Sequence, residues 1–124
     1  MTGDEYRDLA MRTYDGKAGE RLKEAMQDIR DPGGLLNGCL GLSGETGEVV
    51  DAIKKVLFHG KERDDQEIKK ELGDVLWYVA LIADSLGYSM DEIMEQNIDK
   101  LKKRYPEGFR TVKEREQEGQ KDNA

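Results

Sequence analysis

The stretch that decides the fold is "NGCLGLSGETGEVVDAIKK", residues 37–55, in which a glycine stands at every third position from Gly38 to Gly47. The apolar residues of this stretch keep the spacing of an α-helix. A glycine inside a helix costs about 1 kcal/mol relative to alanine, so four of them in one segment indicate a purpose other than helix stability. Because glycine has no Cβ, the pattern predicts that another helix or a ligand approaches this segment closely.

Apolar residues recur at helical spacing through most of the chain, and no convincing strand alternation is present. The predicted helices span about residues 2–16, 35–58, 64–86 and 89–105, with a short helix or ordered loop over residues 17–34. Thr2 and Glu5 are predicted to form a capping box at the start of the first helix, and Gly16 follows as its stop. The segment "DPGG", residues 31–34, is predicted to end the short segment before the second long helix. Asp64 or Asp65 is the predicted cap of the helix that runs to residue 86, and Gly87 is its stop. The predicted fold class is therefore all-α, a bundle of four to five helices.

The chain of 124 residues has the length of one typical domain. We predict that residues 1–109 form this single domain. From residue 110 to residue 124 the sequence is almost wholly polar, which predicts a disordered tail because the segment has almost no apolar surface to bury.

The composition limits which partners the protein is expected to bind and which cell compartment it is expected to occupy. The formal net charge of −7 argues against nucleic acid or an anionic membrane as a general partner. Cys39 is the only cysteine, so an intrachain disulfide is impossible and a reducing cytosol is favoured. No apolar run reaches the roughly 20 residues that span a bilayer, and the first residues do not read as a signal peptide. The prediction is a cytoplasmic protein.

The segment "VLWYVALIA", residues 75–83, is apolar nearly all the way round its helix. At about 100° per residue, Trp77 and Leu81 lie away from the stripe of Val75, Val79 and Ile82. A helix that is apolar on every side needs neighbours on every side. We therefore predict a homo-oligomer, either a dimer or a tetramer; the alternative is that Trp77 lies under a loop or the N-terminal helix.

Two carboxylate pairs are candidates for a functional site: Glu45 with Glu48, and Glu71 with Asp74 on the following helix. Residues three apart on a helix can reach one point, so two such pairs on antiparallel helices would bring four carboxylates together. Such hard oxygen ligands suit Mg²⁺ or Mn²⁺. With 27 acidic residues in the chain, other pairs at this spacing exist, and a merely solvated acidic face remains the alternative.

Two observations favour a metal site. Glu71 and Asp74 border the predicted core stripe of their helix, and Glu45 and Glu48 lie in the glycine-spaced segment. In the next helix, Asn97 stands in register with the apolar face and Lys100 follows one turn later. Asn97 is either a buried amide that satisfies its own hydrogen bonds or a ligand contact.

Three motifs occur in order between about Leu35 and Phe109: "GLSGETGEVVDAIKK", then "KELGDVLWYVALIADSLGYSMDEI", then "NIDKLKKRYPEGF". Together they resemble the MazG-like nucleoside triphosphate pyrophosphohydrolases, an all-α family. The resemblance implies Mg²⁺-dependent hydrolysis of a (deoxy)nucleoside triphosphate between its α- and β-phosphates, which releases the monophosphate and pyrophosphate and cleans the nucleotide pool.

The resemblance also implies roles for residues. The family's metal-binding positions fall on Glu45, Glu48, Glu71 and Asp74, and Glu45 or Glu48 would orient or deprotonate the attacking water. Many members carry a further glutamate where this chain has Gly44, which leaves the number of metal ions open. The polyphosphate would meet Asn97 and Lys100, with help from Lys54 or Lys55. Candidates for contact with the base are Tyr78, Trp77 and Asn37.

Two alternatives to this function stay open. One is a non-catalytic helical module that keeps the fold but serves in regulation or assembly. The other is a hydrolase of a different pyrophosphate compound, such as an alarmone.

Overall fold

A computed structural model describes residues 1–122 of the chain. The described residues form six helices: α1 Gly3–Met11, α2 Ala18–Met26, α3 Pro32–Phe58, α4 Asp65–Leu86, α5 Met90–Arg104 and α6 Val112–Asp122. The all-α prediction is confirmed for the described residues. Among them, β-type pairing is limited to an isolated bridge between Pro106 and Gly108. The sixth helix exceeds the predicted four to five. None of the described helices is long and apolar enough to cross a membrane.

The predicted capping box at the start of α1 is present. The Thr2 hydroxyl accepts a hydrogen bond from the Glu5 N–H at 3.1 Å, and the Glu5 carboxylate accepts one from the Thr2 N–H at 2.7 Å. The helix ends at Met11, earlier than the stop predicted at Gly16. After Met11 the Thr13 hydroxyl donates to the Ala10 carbonyl at 2.8 Å, which satisfies a helix-end acceptor locally.

The long helix α3 begins three residues earlier than its predicted start. Asp31 is the N-cap and accepts a hydrogen bond from the Gly34 N–H at 2.9 Å. Pro32 occupies the first turn, where its missing N–H costs nothing and its fixed φ suits the helix. The segment "DPGG" therefore starts α3 instead of only ending the segment before it.

The caps of α4 agree with the sequence. Asp64 accepts hydrogen bonds from the N–H groups of Gln66 and Glu67. At the other end Gly87 adopts a left-handed conformation with φ of 75°, which terminates the helix as predicted.

Helices α3 and α4 pack as an antiparallel pair, and two glycines of α3 permit their close approach. A Cβ added at Gly38 would lie 2.6 Å from Cγ1 of Ile82, and one added at Gly41 would overlap the ring of Tyr78. Gly44 and Gly47 meet nothing within 4 Å of an added Cβ. The close approach predicted from the four spaced glycines is therefore present at Gly38 and Gly41. Gly44 and Gly47 face open space within the chain.

The chain divides into two compact units, the first from Met1 to Gly87 and the second beginning at Tyr88. The second unit contains α6, in the segment for which the sequence predicts a disordered tail. Polar contacts accompany this helix instead of a buried apolar face. The guanidinium groups of Arg104 and Arg115 lie 5.5 and 5.4 Å from the centre of the Tyr105 ring, and Arg110 pairs with Glu107 and Glu118. Residues 123 and 124 of the predicted tail lie outside the described residues, and the domain bounds stay a prediction.

Candidate metal and nucleotide site

Three of the predicted carboxylates meet between α3 and α4. Glu45, Glu71 and Asp74 each offer one oxygen, and these oxygens lie within 4.8 Å of one another. Glu45 lies one helical turn beyond Gly41, the point at which the missing Cβ lets α4 come close. The glycine spacing and the carboxylate spacing therefore act together, because the first brings the backbones near and the second supplies the charges.

The environment of Glu45 calls for a cation. Its Oε2 atom is buried and has no hydrogen-bond partner. Burial raises the pKa of the Glu45 carboxyl, and the nearby carboxylates of Glu71, Asp74 and Glu48 raise it further. Carboxylates held this close repel one another unless they are protonated or share a positive ion. A divalent metal would satisfy the orphaned oxygen and remove the repulsion, so the donor set fits Mg²⁺ or Mn²⁺.

Glu48, the fourth predicted ligand, lies outside this cluster. Its side chain is exposed, and it acts on Glu45 as a nearby negative charge. It follows Glu45 by three residues on α3, so it borders the cluster one turn along the helix. The structure thus brings together three of the four predicted ligands and leaves Glu48 beside them, with its carboxylate open to solvent.

A cleft of about 350 Å³ opens at this cluster and is lined by Glu45, Asp74, Trp77 and Tyr78. The rings of Trp77 and Tyr78 meet edge to face, with their centres 5.1 Å apart and their planes at 87°. Tyr78 is half-buried because its ring packs over Gly41, whereas Trp77 remains 59% exposed. An acidic site and an aromatic wall therefore share one opening.

The other predicted substrate contacts do not line this cleft. Lys54 follows Glu45 by nine residues, which places it about 180° away around α3. Lys55, its neighbour, forms an ion pair with Asp51 at 2.9 Å. Asn37 is exposed near the start of α3 and is absent from the described lining of the cleft.

Asn97 and Lys100 belong to the second unit. Both are exposed on α5, although the sequence had placed the Asn97 amide toward the interior. They line a cavity of about 310 Å³ together with Ile93 and Gln96. A further cavity of about 320 Å³ that the sequence did not predict lies on the same helix and is lined by Tyr88, Glu92, Ile93 and Gln96.

Comparison with known proteins identifies the family. The family model described as the MazG nucleotide pyrophosphohydrolase domain matches residues 36–109, which include Glu45 on α3 and Glu71 and Asp74 on α4. The chain belongs to this MazG family. The resemblance noted in the sequence is thereby confirmed, and the three clustered carboxylates lie within the matched residues.

Two relatives extend the comparison. The chain is 37% identical over 81 residues to the Gene 37 protein of Mycobacterium phage L5, an alignment that covers 60% of this chain and 69% of the phage protein. It is 32% identical over 71 residues to YvdC of Bacillus subtilis (strain 168), described as uncharacterized, covering 49% of this chain and 66% of that protein. No solved structure gives a significant match. Membership of the MazG family therefore rests on the domain match.

Proposed function

We propose that this MazG-family chain is a metal-dependent nucleoside triphosphate pyrophosphohydrolase that cleaves (deoxy)nucleoside triphosphates between the α- and β-phosphates. The observation that carries the proposal is the cluster of Glu45, Glu71 and Asp74, in which one carboxylate oxygen is buried without a partner. A cluster that served only as a solvated face would not bury an unpaired oxygen. The proposed physiological role is to clean the nucleotide pool. The proposed compartment is the cytoplasm, because its reducing conditions keep a single cysteine such as Cys39 in the thiol form.

The metal ligands in this proposal are Glu45, Glu71 and Asp74, with Glu48 as the ligand from the solvent side, and the ion is Mg²⁺ or Mn²⁺. When bound, such an ion acts as a Lewis acid on phosphate oxygens and lowers the pKa of bound water. The described cleft lining offers Glu45 and Asp74 as its charged groups, both negative. An anionic substrate therefore needs the cation in order to approach them.

The chain's own residues have distinct roles in the proposal. Glu48 is exposed at the solvent side of the three clustered carboxylates, so in addition to binding the ion it is the first candidate to orient the attacking water and accept its proton. Glu45 is the other candidate for that base, but it is the most enclosed member of the cluster. Asn97 and Lys100 contact the departing pyrophosphate, an assignment that depends on the family resemblance. Lys100 would contribute charge and Asn97 an amide hydrogen bond.

A nucleotide panel tests the activity. The purified chain is incubated with the four deoxynucleoside and four ribonucleoside triphosphates in Mg²⁺, in Mn²⁺ and in EDTA, and pyrophosphate and monophosphate are quantified. We expect equal amounts of both products with either metal and none in EDTA. Release of orthophosphate would contradict the cleavage position. No release from any nucleotide would favour a non-catalytic module, unless an alarmone or another pyrophosphate compound is cleaved.

We further propose that a second copy of this chain covers an apolar face of the α3–α4 pair. The face comprises Val50, Ile53 and Leu57 on α3 and Leu72 and Leu76 on α4, of which Leu57, Leu76 and Val50 are 66%, 63% and 61% exposed. At about 100° per residue these side chains form one stripe on each helix, and the antiparallel packing places both stripes on the same side of the pair.

A second copy fits this face for geometric reasons. Two antiparallel helices can bury an outward apolar face only against another layer. A twofold axis through the face would pair it with itself and give a four-helix bundle, since the same patch serves both partners in such a dimer. The proposed homo-oligomer is therefore a dimer built on this face, or a tetramer that contains it.

Light scattering after size exclusion tests the assembly. We expect the wild-type mass to be two or four times 14.1 kDa, and that of Leu76→Glu to fall to half the wild-type value because the substitution would bury a charge at the interface. Leu22→Glu, a matched change of an exposed leucine on α2, should keep the wild-type mass. A monomeric wild type, or an unchanged mass for Leu76→Glu, would contradict this face.

A further inference from the structure

Trp77 stands out among the aromatic side chains of the first unit because of what lies beside it. It lines the same cleft as Glu45 and Asp74, yet 59% of it is exposed. It follows Asp74 by three residues on α4, so the indole lies one turn from a proposed metal ligand. A large exposed aromatic ring beside an acidic site is costly to leave in water and is available to a ligand.

The apolar face of the α3–α4 pair does not account for Trp77. In helical projection Trp77 lies about 140° from Leu72 and about 100° from Leu76 around α4. The indole therefore projects from the side of α4 that carries the cleft, away from the surface assigned to a second copy.

Tyr78 holds the indole but does not offer the same surface. Its own ring is packed over Gly41 and is half-buried. It meets Trp77 edge to face at 87°, an arrangement that supports the indole and covers at most one of its two faces, which leaves a face open to stack. The structure thus distinguishes between two aromatic residues that the sequence could not rank.

We propose that Trp77 is the stacking surface for the planar base of the nucleotide, an inference that rests on the proposed function. The acidic cluster would hold the metal ion that attracts the polyphosphate. The indole would stack on the base at the other end of the substrate. Stacking on an indole selects a planar ring and tolerates every base, because each base has a π-face. The site should therefore separate nucleotides from inorganic polyphosphates more strongly than it separates one base from another.

The test uses Trp77 itself, because it is the only tryptophan in the chain. The wild-type protein in Mg²⁺ is titrated with an α,β-imido deoxynucleoside triphosphate, which is not cleaved, and with inorganic tripolyphosphate. We expect the nucleotide to quench tryptophan fluorescence and tripolyphosphate to bind, by calorimetry, without quenching it. Quenching to the same extent by both ligands would overturn the inference.

Variants complete the test by calorimetry. Trp77→Ala should raise the dissociation constant of the nucleotide on the order of tenfold or more and leave that of tripolyphosphate unchanged. Trp77→Phe keeps an aromatic ring and guards against a folding defect. Its dissociation constant for the nucleotide should lie between those of the wild type and Trp77→Ala. Phe58→Ala, a matched change of an exposed aromatic residue at the end of α3, should bind both ligands as the wild type does.

Failure of this inference differs from failure of the proposed function. If nucleotides are cleaved but Trp77→Ala binds them like the wild type, only the stacking surface is wrong. The same holds if Trp77→Ala weakens both ligands equally, or if it changes the mass of the assembly and not the nucleotide affinity. If neither the nucleotide nor tripolyphosphate binds to the wild type, the proposed function falls together with the inference.

Discussion

We expect the replacement of Glu45 with glutamine to lower pyrophosphate release by at least about 100-fold, because even the loss of a group that only orients a metal ligand costs about 10- to 100-fold. Glutamine keeps the size of the side chain and removes its charge, so the helix pair stays folded while the donor set loses its most enclosed carboxylate. Asp74→Asn should have the same effect from the other helix. Both rates are measured with a nucleotide that the wild type cleaves, in saturating Mg²⁺.

The same substitution should have the opposite effect on stability without metal. Glu45, Glu71 and Asp74 repel one another, and this repulsion together with burial keeps the pKa of Glu45 raised. In EDTA near pH 7, Glu45→Gln should therefore unfold at a higher temperature than the wild type. Adding Mg²⁺ should reverse the order, because a ligand at 100 times its dissociation constant stabilises the protein that binds it by about 2.7 kcal/mol.

The control is Glu62→Gln, a change of an exposed glutamate in the connection between α3 and α4. It removes one negative charge without touching the cluster, so its activity, its melting temperature in EDTA and its response to Mg²⁺ should match those of the wild type. Equal melting temperatures for Glu45→Gln and the wild type in both conditions would show that the carboxylates do not share a metal. Circular dichroism confirms that helix content is kept in all variants.

The features that the sequence predicted well are those that depend on local chemistry. The capping box of Thr2 and Glu5, the cap at Asp64 and the stop at Gly87 each need only a few neighbouring residues. Glu71 and Asp74 were also predictable, because their spacing on one helix fixes their relative direction.

The features that the sequence could not settle depend on partners distant along the chain. Whether Gly44 faces a helix or open space depends on where α4 crosses α3, which spacing within α3 does not encode. The position of Glu48 beside the cluster, instead of within it, depends on the same crossing. Helix α6 escaped prediction because its contacts are polar ones around Tyr105 and Arg110, and hydrophobic periodicity does not register such contacts.

Replacement by alanine should have opposite effects on stability at Gly41 and at Gly44. Gly41→Ala places a methyl group on the Tyr78 ring, and such overpacking typically costs about 1–3 kcal/mol. The gain in helix propensity, about 1 kcal/mol, offsets only part of that cost. We therefore expect a net loss of stability of up to about 2 kcal/mol. Since Tyr78 lines the cleft, the displaced ring should also weaken nucleotide binding.

Gly44→Ala is the matched control, three residues along the same helix. Its methyl group meets nothing within 4 Å, so the propensity gain should appear alone and raise the free energy of unfolding by up to about 1 kcal/mol. Urea unfolding followed by circular dichroism measures both changes. A stabilised Gly41→Ala would mean that the helices do not pack through that glycine. A destabilised Gly44→Ala would mean that another molecule covers a position that is open in the single chain, which light scattering on the same variant would then reveal.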